Sequence, residues 1–106
     1  HAEEQAKKFG VRAPMVGHMG DGNFHVVLPY DPAKKEMYKQ IRAFNDTLIK
    51  KALELNGTIT GEHGVGLHKK EYLLEQHPDN IPVMKSIKRT IDPNNIMNPG
   101  KIFDLN

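Results

Sequence analysis

The sequence contains no cysteine and no tryptophan, and its aromatic residues are 4 Phe and 3 Tyr. Without cysteine there are no disulfides, no zinc-thiolate sites and no thiol chemistry. No apolar run approaches the roughly 18–20 residues that cross a bilayer, and the first residues carry no signal-like apolar segment. A cytoplasmic chain is therefore expected. An excess of one charge is also missing: 15 Lys+Arg stand against 13 Asp+Glu, giving a formal +2 with the 6 His neutral. The basic residues are spread through helical stretches, so nothing supports nucleic-acid binding by a basic patch. Length is the last shortage. A chain of 106 residues buries only roughly 60–65% of the surface its unfolded form exposes, which leaves a thin core with little room to enclose a large cofactor. A complete redox enzyme holding its own dinucleotide is not expected. The chain begins at His1 with no initiator Met, as a processed chain or a piece of a longer one would.

What is present reads as an alternation of helices and short extended pieces. Ala2, Ala6 and Phe9 make a weak amphipathic helix that stops at Gly10. Extended segments are expected at Val11–Met19 and Asn23–Tyr30, with Asp21-Gly22 as a two-residue hairpin turn between them. Asp31-Pro32 is placed to open a long helix, Asp as cap and Pro at the first helical position. Its apolar stripe runs Met37, Ile41, Phe44, Leu48, Ala52, Leu55 and ends at Asn56-Gly57. The opposite face, with Lys34, Lys35, Lys39, Arg42, Asp46 and Lys50, reads as solvent-facing. Thr58–Thr60 is short and β-branched and predicts a strand, followed by helices over Leu67–Gln76 and Ile81–Ile91, the last stopped by Asp92-Pro93. This order predicts an α+β fold, an antiparallel sheet with helices packed on one face.

Two segments carry candidate chemistry. In a two-residue hairpin around Asp21-Gly22, His18 stands directly opposite His25, with Cβ atoms roughly 4.5–5.5 Å apart, near enough for two imidazoles to share a cation. Neutral imidazoles bind Zn, Mn and Fe, and a carboxylate is the usual companion. Between Met15 and Tyr30 the only formally charged residue is Asp21, so these histidines do not sit on a salt-bridged face. An ordinary cross-strand pair, or a wider loop, is the competing reading, and a slip of one residue would put the rings on opposite faces.

The second segment, Asn56 to Leu67, holds one charge, Glu62, beside His63 and among Gly57, Gly61, Gly64 and Gly66. Glycines allow close backbone approach to a ligand. Glu62 can complete a His-His-carboxylate site while His63, whose imidazole titrates near neutral pH, serves as a base. Two alternatives stay open: a phosphate cradle, although the pattern is neither a dinucleotide fingerprint nor a Walker A sequence, and a plain glycine-rich turn with Glu62 serving the next helix N-terminus. His68 and His77 read as solvent-exposed or capping residues.

Taken together, Gly17-His18-Met19-Gly20-Asp21-Gly22-Asn23-Phe24-His25, Gly57-Thr58-Ile59-Thr60-Gly61-Glu62-His63-Gly64-Val65-Gly66, Ile91-Asp92-Pro93 and Ile96-Met97-Asn98-Pro99-Gly100-Lys101 resemble one family. It is the C-terminal part of FAD-linked 2-hydroxy-acid oxidoreductases of the vanillyl-alcohol-oxidase type, a group with D-lactate dehydrogenase, the FAD subunit of glycolate oxidase and D-2-hydroxyglutarate dehydrogenase. The resemblance runs from about Met15 to Ile102. It implies that His18, His25 and Glu62 hold a divalent metal, Zn or Mn, and that His63 takes the substrate hydroxyl proton. It also implies that Asn23, Asn98 and Lys101 lie near the flavin and substrate. Val27 stands where the 2-hydroxyglutarate branch has a substrate-contacting Asn, which favours a D-lactate or glycolate type of substrate.

The same resemblance implies that FAD is held mainly by an N-terminal domain outside this sequence. Residues 1–92 would then be about the second half of a ferredoxin-like cap domain, and residues 93–106 a tail returning to the FAD domain. Such a piece is expected to be inactive alone and to self-associate through uncovered strand edges and apolar surface. The parent enzyme would pair with electron-transfer subunits and could associate peripherally with a membrane. Two other classes remain: a non-catalytic divalent-metal or anion-binding module, and an interaction domain assembled through the long helix. The Asn98–Lys101 turn separates them from the enzyme reading, because a freestanding module needs no flavin-facing tail.

Overall fold

The computed structural model describes residues 1–105 and has the order helix, two strands, then three helices. The fold is α+β, with two compact units, His1–Gly57 and the residues from Thr58 onward. Among the described residues no helix is long and apolar enough to cross a membrane.

The first unit begins with α1, Ala2–Phe9, whose acidic residues lie in the first turn and whose lysines lie in the last, both favourable to the helix dipole. It ends where Gly10 takes a left-handed conformation at φ 64°. Strands β1 (Met15–His18) and β2 (Asn23–Val26) pair antiparallel as Met15↔Val26, Val16↔His25, Gly17↔Phe24 and His18↔Asn23. The expected two-residue turn is not formed. Met19–Asp21 makes a single 3-10 turn, and Gly22 closes it at φ 74° with its N–H on the Met19 carbonyl at 3.1 Å. Gly17 is required by the pairing: at φ 149°, a Cβ there would lie 2.6 Å from the Phe24 Cα and 2.8 Å from the Asn23 carbonyl oxygen.

Helix α2 spans Lys35–Glu54 and starts three residues later than Asp31-Pro32 predicts. The Asp31 carboxylate accepts from the Ala33 N–H at 3.0 Å and its carbonyl from the Lys34 N–H at 2.9 Å. These bonds close a turn around Pro32 in place of a helix cap. At the other end Asn56, not Gly57, is the left-handed residue, at φ 57°. The Gly57 N–H then reaches the Ala52 carbonyl at 2.7 Å. The predicted apolar stripe supplies the core: Phe44 is fully buried, packed with Val11 and Ile41, and Phe9, Val26, Leu28, Met37 and Leu48 close around them. Phe9 meets Phe44 edge-on, ring centroids 6.5 Å apart. Leu55, at the stripe's end, is exposed.

The second unit contains α3, Lys70–Gln76, and α4, Ile81–Ile91. Pro82 falls in the first turn of α4, where its missing N–H costs nothing. The strand expected at Thr58–Thr60 is absent. Its backbone is held by a side chain: the Gln76 amide oxygen accepts from the Ile59 N–H and the Thr58 hydroxyl, both at 3.2 Å, and Ile59 is buried. The helix predicted from Leu67 forms only from Lys70. Buried Leu73 and Ile81 complete a small core, beside which lies an apolar groove of about 510 Å³ walled by Val65, Met84, Ile87, Ile91, Met97 and Phe103.

Candidate metal and substrate site

The hairpin register changes the relation of the two histidines. His25 faces Val16 and His18 faces Asn23, so direct opposition of His18 and His25 is not what forms. The 3-10 turn takes up two residues that a tight hairpin would have paired. Because the pairing moves by two positions, the parity of the ladder is kept. His18 and His25 become diagonal neighbours on one face, a relation that separates residues by roughly 7–8 Å and stays within reach of long or ring side chains. Two imidazoles on one face of a rigid hairpin fit a divalent cation that takes nitrogen ligands. Val26 packs into the core from the alternate position of β2, so the pleat assigns His25 to the opposite face.

In the second unit Glu62 and His63 are adjacent in a turn that Gly64 and Gly66 complete with φ of 71° and 55°. His63 Nε2 lies 3.9 Å from a Glu62 carboxylate oxygen, and both side chains are more than half exposed. A carboxylate ligand and an imidazole base with their functional atoms at a solvent-facing turn fit the donor set expected of them. Thr60 spans the turn by donating its hydroxyl to the Gly64 carbonyl at 2.8 Å, and Lys69 Nζ donates to the same hydroxyl oxygen at 2.7 Å. Lys69 is half-buried, and loss of water holds its ammonium pKa below the usual lysine range.

The tail is tied to this turn. The Ile102 N–H donates to the Gly66 carbonyl at 2.8 Å, and Ile102 accepts a left-handed φ of 69°, unusual for a β-branched residue. Asn98 is left-handed too, at φ 47°, and its carbonyl accepts from the Lys101 N–H at 3.3 Å. Two of the three residues expected near a flavin therefore belong to one closed turn, and the third, Asn23, opens β2.

The chain matches the family of FAD linked oxidases, C-terminal domain, over residues 1–102. It belongs to that family. Among curated relatives, it is 44% identical over 96 residues to a probable mitochondrial D-lactate dehydrogenase of Danio rerio, 90% of this chain and 19% of the relative. It is 41% identical over 99 residues to the glycolate oxidase subunit GlcD of Bacillus subtilis, 92% of this chain and 21% of that one. It is 42% identical over 90 residues to a D-2-hydroxyglutarate dehydrogenase of Stutzerimonas stutzeri, 82% of this chain and 19% of the relative. The chain thus spans about a fifth of the length of these relatives.

Within this FAD-linked oxidase C-terminal domain, sequence reasoning passed over Asp92. It reads as a helix stop, yet it is 4% exposed and organises the tail. Its carboxylate accepts from the N–H groups of Ile96 at 3.0 Å and Met97 at 2.9 Å, and from the Lys88 ammonium. The Lys88 hydrogen bond leads the causes that hold the Asp92 carboxyl below the usual range, against a desolvation that pushes it up. The available signal was a lysine four residues before an aspartate at the end of a helix. Thr60 and Lys69 gave less warning, since they stand nine positions apart in irregular chain.

Proposed function

We propose that this chain is the metal- and substrate-binding part of a flavin-dependent dehydrogenase or oxidase that converts a small 2-hydroxy acid, of D-lactate or glycolate type, to the 2-oxo acid. The observation that carries this reading is the family match across residues 1–102, on a chain whose motifs stand in order. In it, His18, His25 and Glu62 are ligands to a divalent cation, Zn or Mn, and leave a coordination position open to substrate. The common face of the two histidines on the hairpin supports their pairing.

The 2-hydroxy acid offers a carboxylate oxygen and a hydroxyl at chelating distance, and a bound cation would lower the hydroxyl pKa. His63 removes the hydroxyl proton on an imidazole nitrogen, and the Cα–H bond breaks with its electron pair. The chemistry that a bound FAD would supply is that of a hydride acceptor. Asn23, Asn98 and Lys101 would border the flavin and substrate and orient them. Val27, half exposed at the end of the hairpin, offers no polar group to a second substrate carboxylate, which supports the smaller substrates.

The test is metal analysis of the purified chain beside His18→Ala, His25→Ala and Glu62→Ala. Each substitution is expected to cut bound Zn or Mn by at least about tenfold, the loss that even supporting groups of a metal site cause. Equal metal content in all four proteins would reject the ligand assignment. The chain by itself is expected to be colourless and to give no turnover of D-lactate with a dye acceptor.

Self-association belongs to the same reading. Both strands are sheet edges, and Val83, Ile87 and Ile91 of α4 are 60%, 55% and 68% exposed. Sedimentation at rising concentration is expected to show dimers or larger species, and a strict monomer throughout would reject it.

A further inference from the structure

We propose that Thr60 and Lys69 are positioning residues for the Glu62–His63 turn. This rests on the reading of Glu62 as a metal ligand and His63 as the base, and adds the groups that fix them. A turn rich in glycine has many backbone conformations to lose, and without a brace its side chains sweep a wide volume. The turn has no strand pairing to hold it. Beside one long backbone bond, the Gly64 N–H on the Gly61 carbonyl at 3.2 Å, it has a relay of donors: Lys69 Nζ to the Thr60 hydroxyl oxygen at 2.7 Å, and the Thr60 hydroxyl proton to the Gly64 carbonyl at 2.8 Å.

The relay joins the residue before Gly61 to the residue after His63, so Glu62 and His63 lie inside a closed bridge. A hydroxyl has a single proton. The lysine ammonium can only donate, so its bond to Thr60 leaves that proton committed to Gly64. The stem is fixed independently, through the Gln76 amide oxygen on Thr58 and Ile59. Lysine ordinarily keeps its ammonium in water while its stem covers apolar surface. Here the ammonium is half-buried against a hydroxyl, a cost that bracing the turn accounts for.

The experiment is ¹⁵N relaxation on the whole chain with Thr60→Val, which keeps size and removes the hydroxyl, Thr60→Ser, which keeps the hydroxyl, and Lys69→Met. In the unsubstituted chain the Glu62, His63 and Gly64 amides are expected near the rigid order parameter of about 0.85. They are expected to fall below about 0.6 in Thr60→Val and Lys69→Met, to stay near the original value in Thr60→Ser, and to leave α4 unchanged in all three. A turn that stays rigid in both Thr60→Val and Lys69→Met, or that loosens equally in Thr60→Ser, overturns the proposal.

Zinc titration of the same proteins separates the two readings. Affinity is expected to drop about tenfold in Thr60→Val and Lys69→Met and to recover in Thr60→Ser. If the unsubstituted chain takes up no zinc, the metal reading fails while the relaxation data still decide the bracing. Should Thr60→Val fail to fold, Lys69→Met carries the same comparison.

Discussion

The two units of this chain are stabilised by different means. His1–Gly57 is organised by apolar contact: a long amphipathic helix, a short helix and a hairpin close around Phe44, with two aromatic rings edge to face. The unit from Thr58 onward has a smaller apolar core and relies on side chains that bond to backbone. Gln76 holds the Thr58–Ile59 stem, Thr60 closes the turn, and Asp92 gathers Ile96, Met97 and Lys88. Apolar burial fixes where elements pack but tolerates side-chain motion. Hydrogen bonds to particular backbone groups fix irregular chain, and the Glu62–His63 turn and the Asn98–Lys101 turn are both irregular. The difference also predicts different sensitivities, because charged and polar anchors respond to pH and salt where an apolar core does not.

The largest test of this contrast is Phe44→Ala. Removal of a fully buried aromatic ring is expected to cost about 3–5 kcal/mol. Residue-resolved hydrogen exchange would show the loss in α2. Exchange accelerated equally in α4 would mean that one apolar core serves both units.

Acid provides the next test. The Asp92 carboxyl binds its proton less tightly folded than unfolded, because the Lys88 ammonium and two backbone N–H groups favour the carboxylate. Its contribution is therefore complete above the unfolded value of about 3.9 and is lost as pH falls through the lower folded value. Protection of the Ile96 and Met97 amides is expected to fall as pH drops below about 4, before that of α2 does. Asp92→Asn should remove that acid step, with the tail already loosened at neutral pH. An acid profile unchanged by the substitution would place the titrating group elsewhere.

The smallest effect is expected at Lys70–Asp104, where nitrogen and oxygen are 2.8 Å apart and the aspartate is 64% exposed. Asp104→Ala should cost no more than about 0.2–1 kcal/mol. The loss should vanish in about 1 M salt, where screening acts within about 3 Å. A larger loss, insensitive to salt, would make this pair a structural anchor of the same rank as Asp92.

Much of the architecture is legible in the sequence, for identifiable reasons. The stop at Gly10 and the span Ile81–Ile91 follow from local rules that tertiary contacts did not oppose. Met37 to Leu48 forms a stripe because a 3.6-residue period has one buried face wherever it packs. Other local readings are not what forms. Asp31 closes a turn of its own in place of a cap, so α2 begins late. The Asp21-Gly22 signal marks a turn but not its length. Thr58–Thr60 has the composition of a strand, yet Gln76, which lies 17 residues beyond Ile59, supplies the acceptor that a neighbouring strand would have supplied.

The candidate site divides along the same line. Its residue types and their order along the chain, two histidines astride a turn and a Glu-His pair among glycines, are properties of the sequence and carry the family assignment. Register is different, because it depends on how many residues a turn consumes. Only the tertiary structure turned His18 and His25 from facing residues into diagonal ones while keeping them on one face. The anchors are different as well. The Lys88 four residues before it marks Asp92, but nothing local marks Thr60 and Lys69 as a brace, since their bond forms only when folding brings the two together. The sequence by itself therefore determined which chemistry is available, and the tertiary structure decided how firmly each group is held.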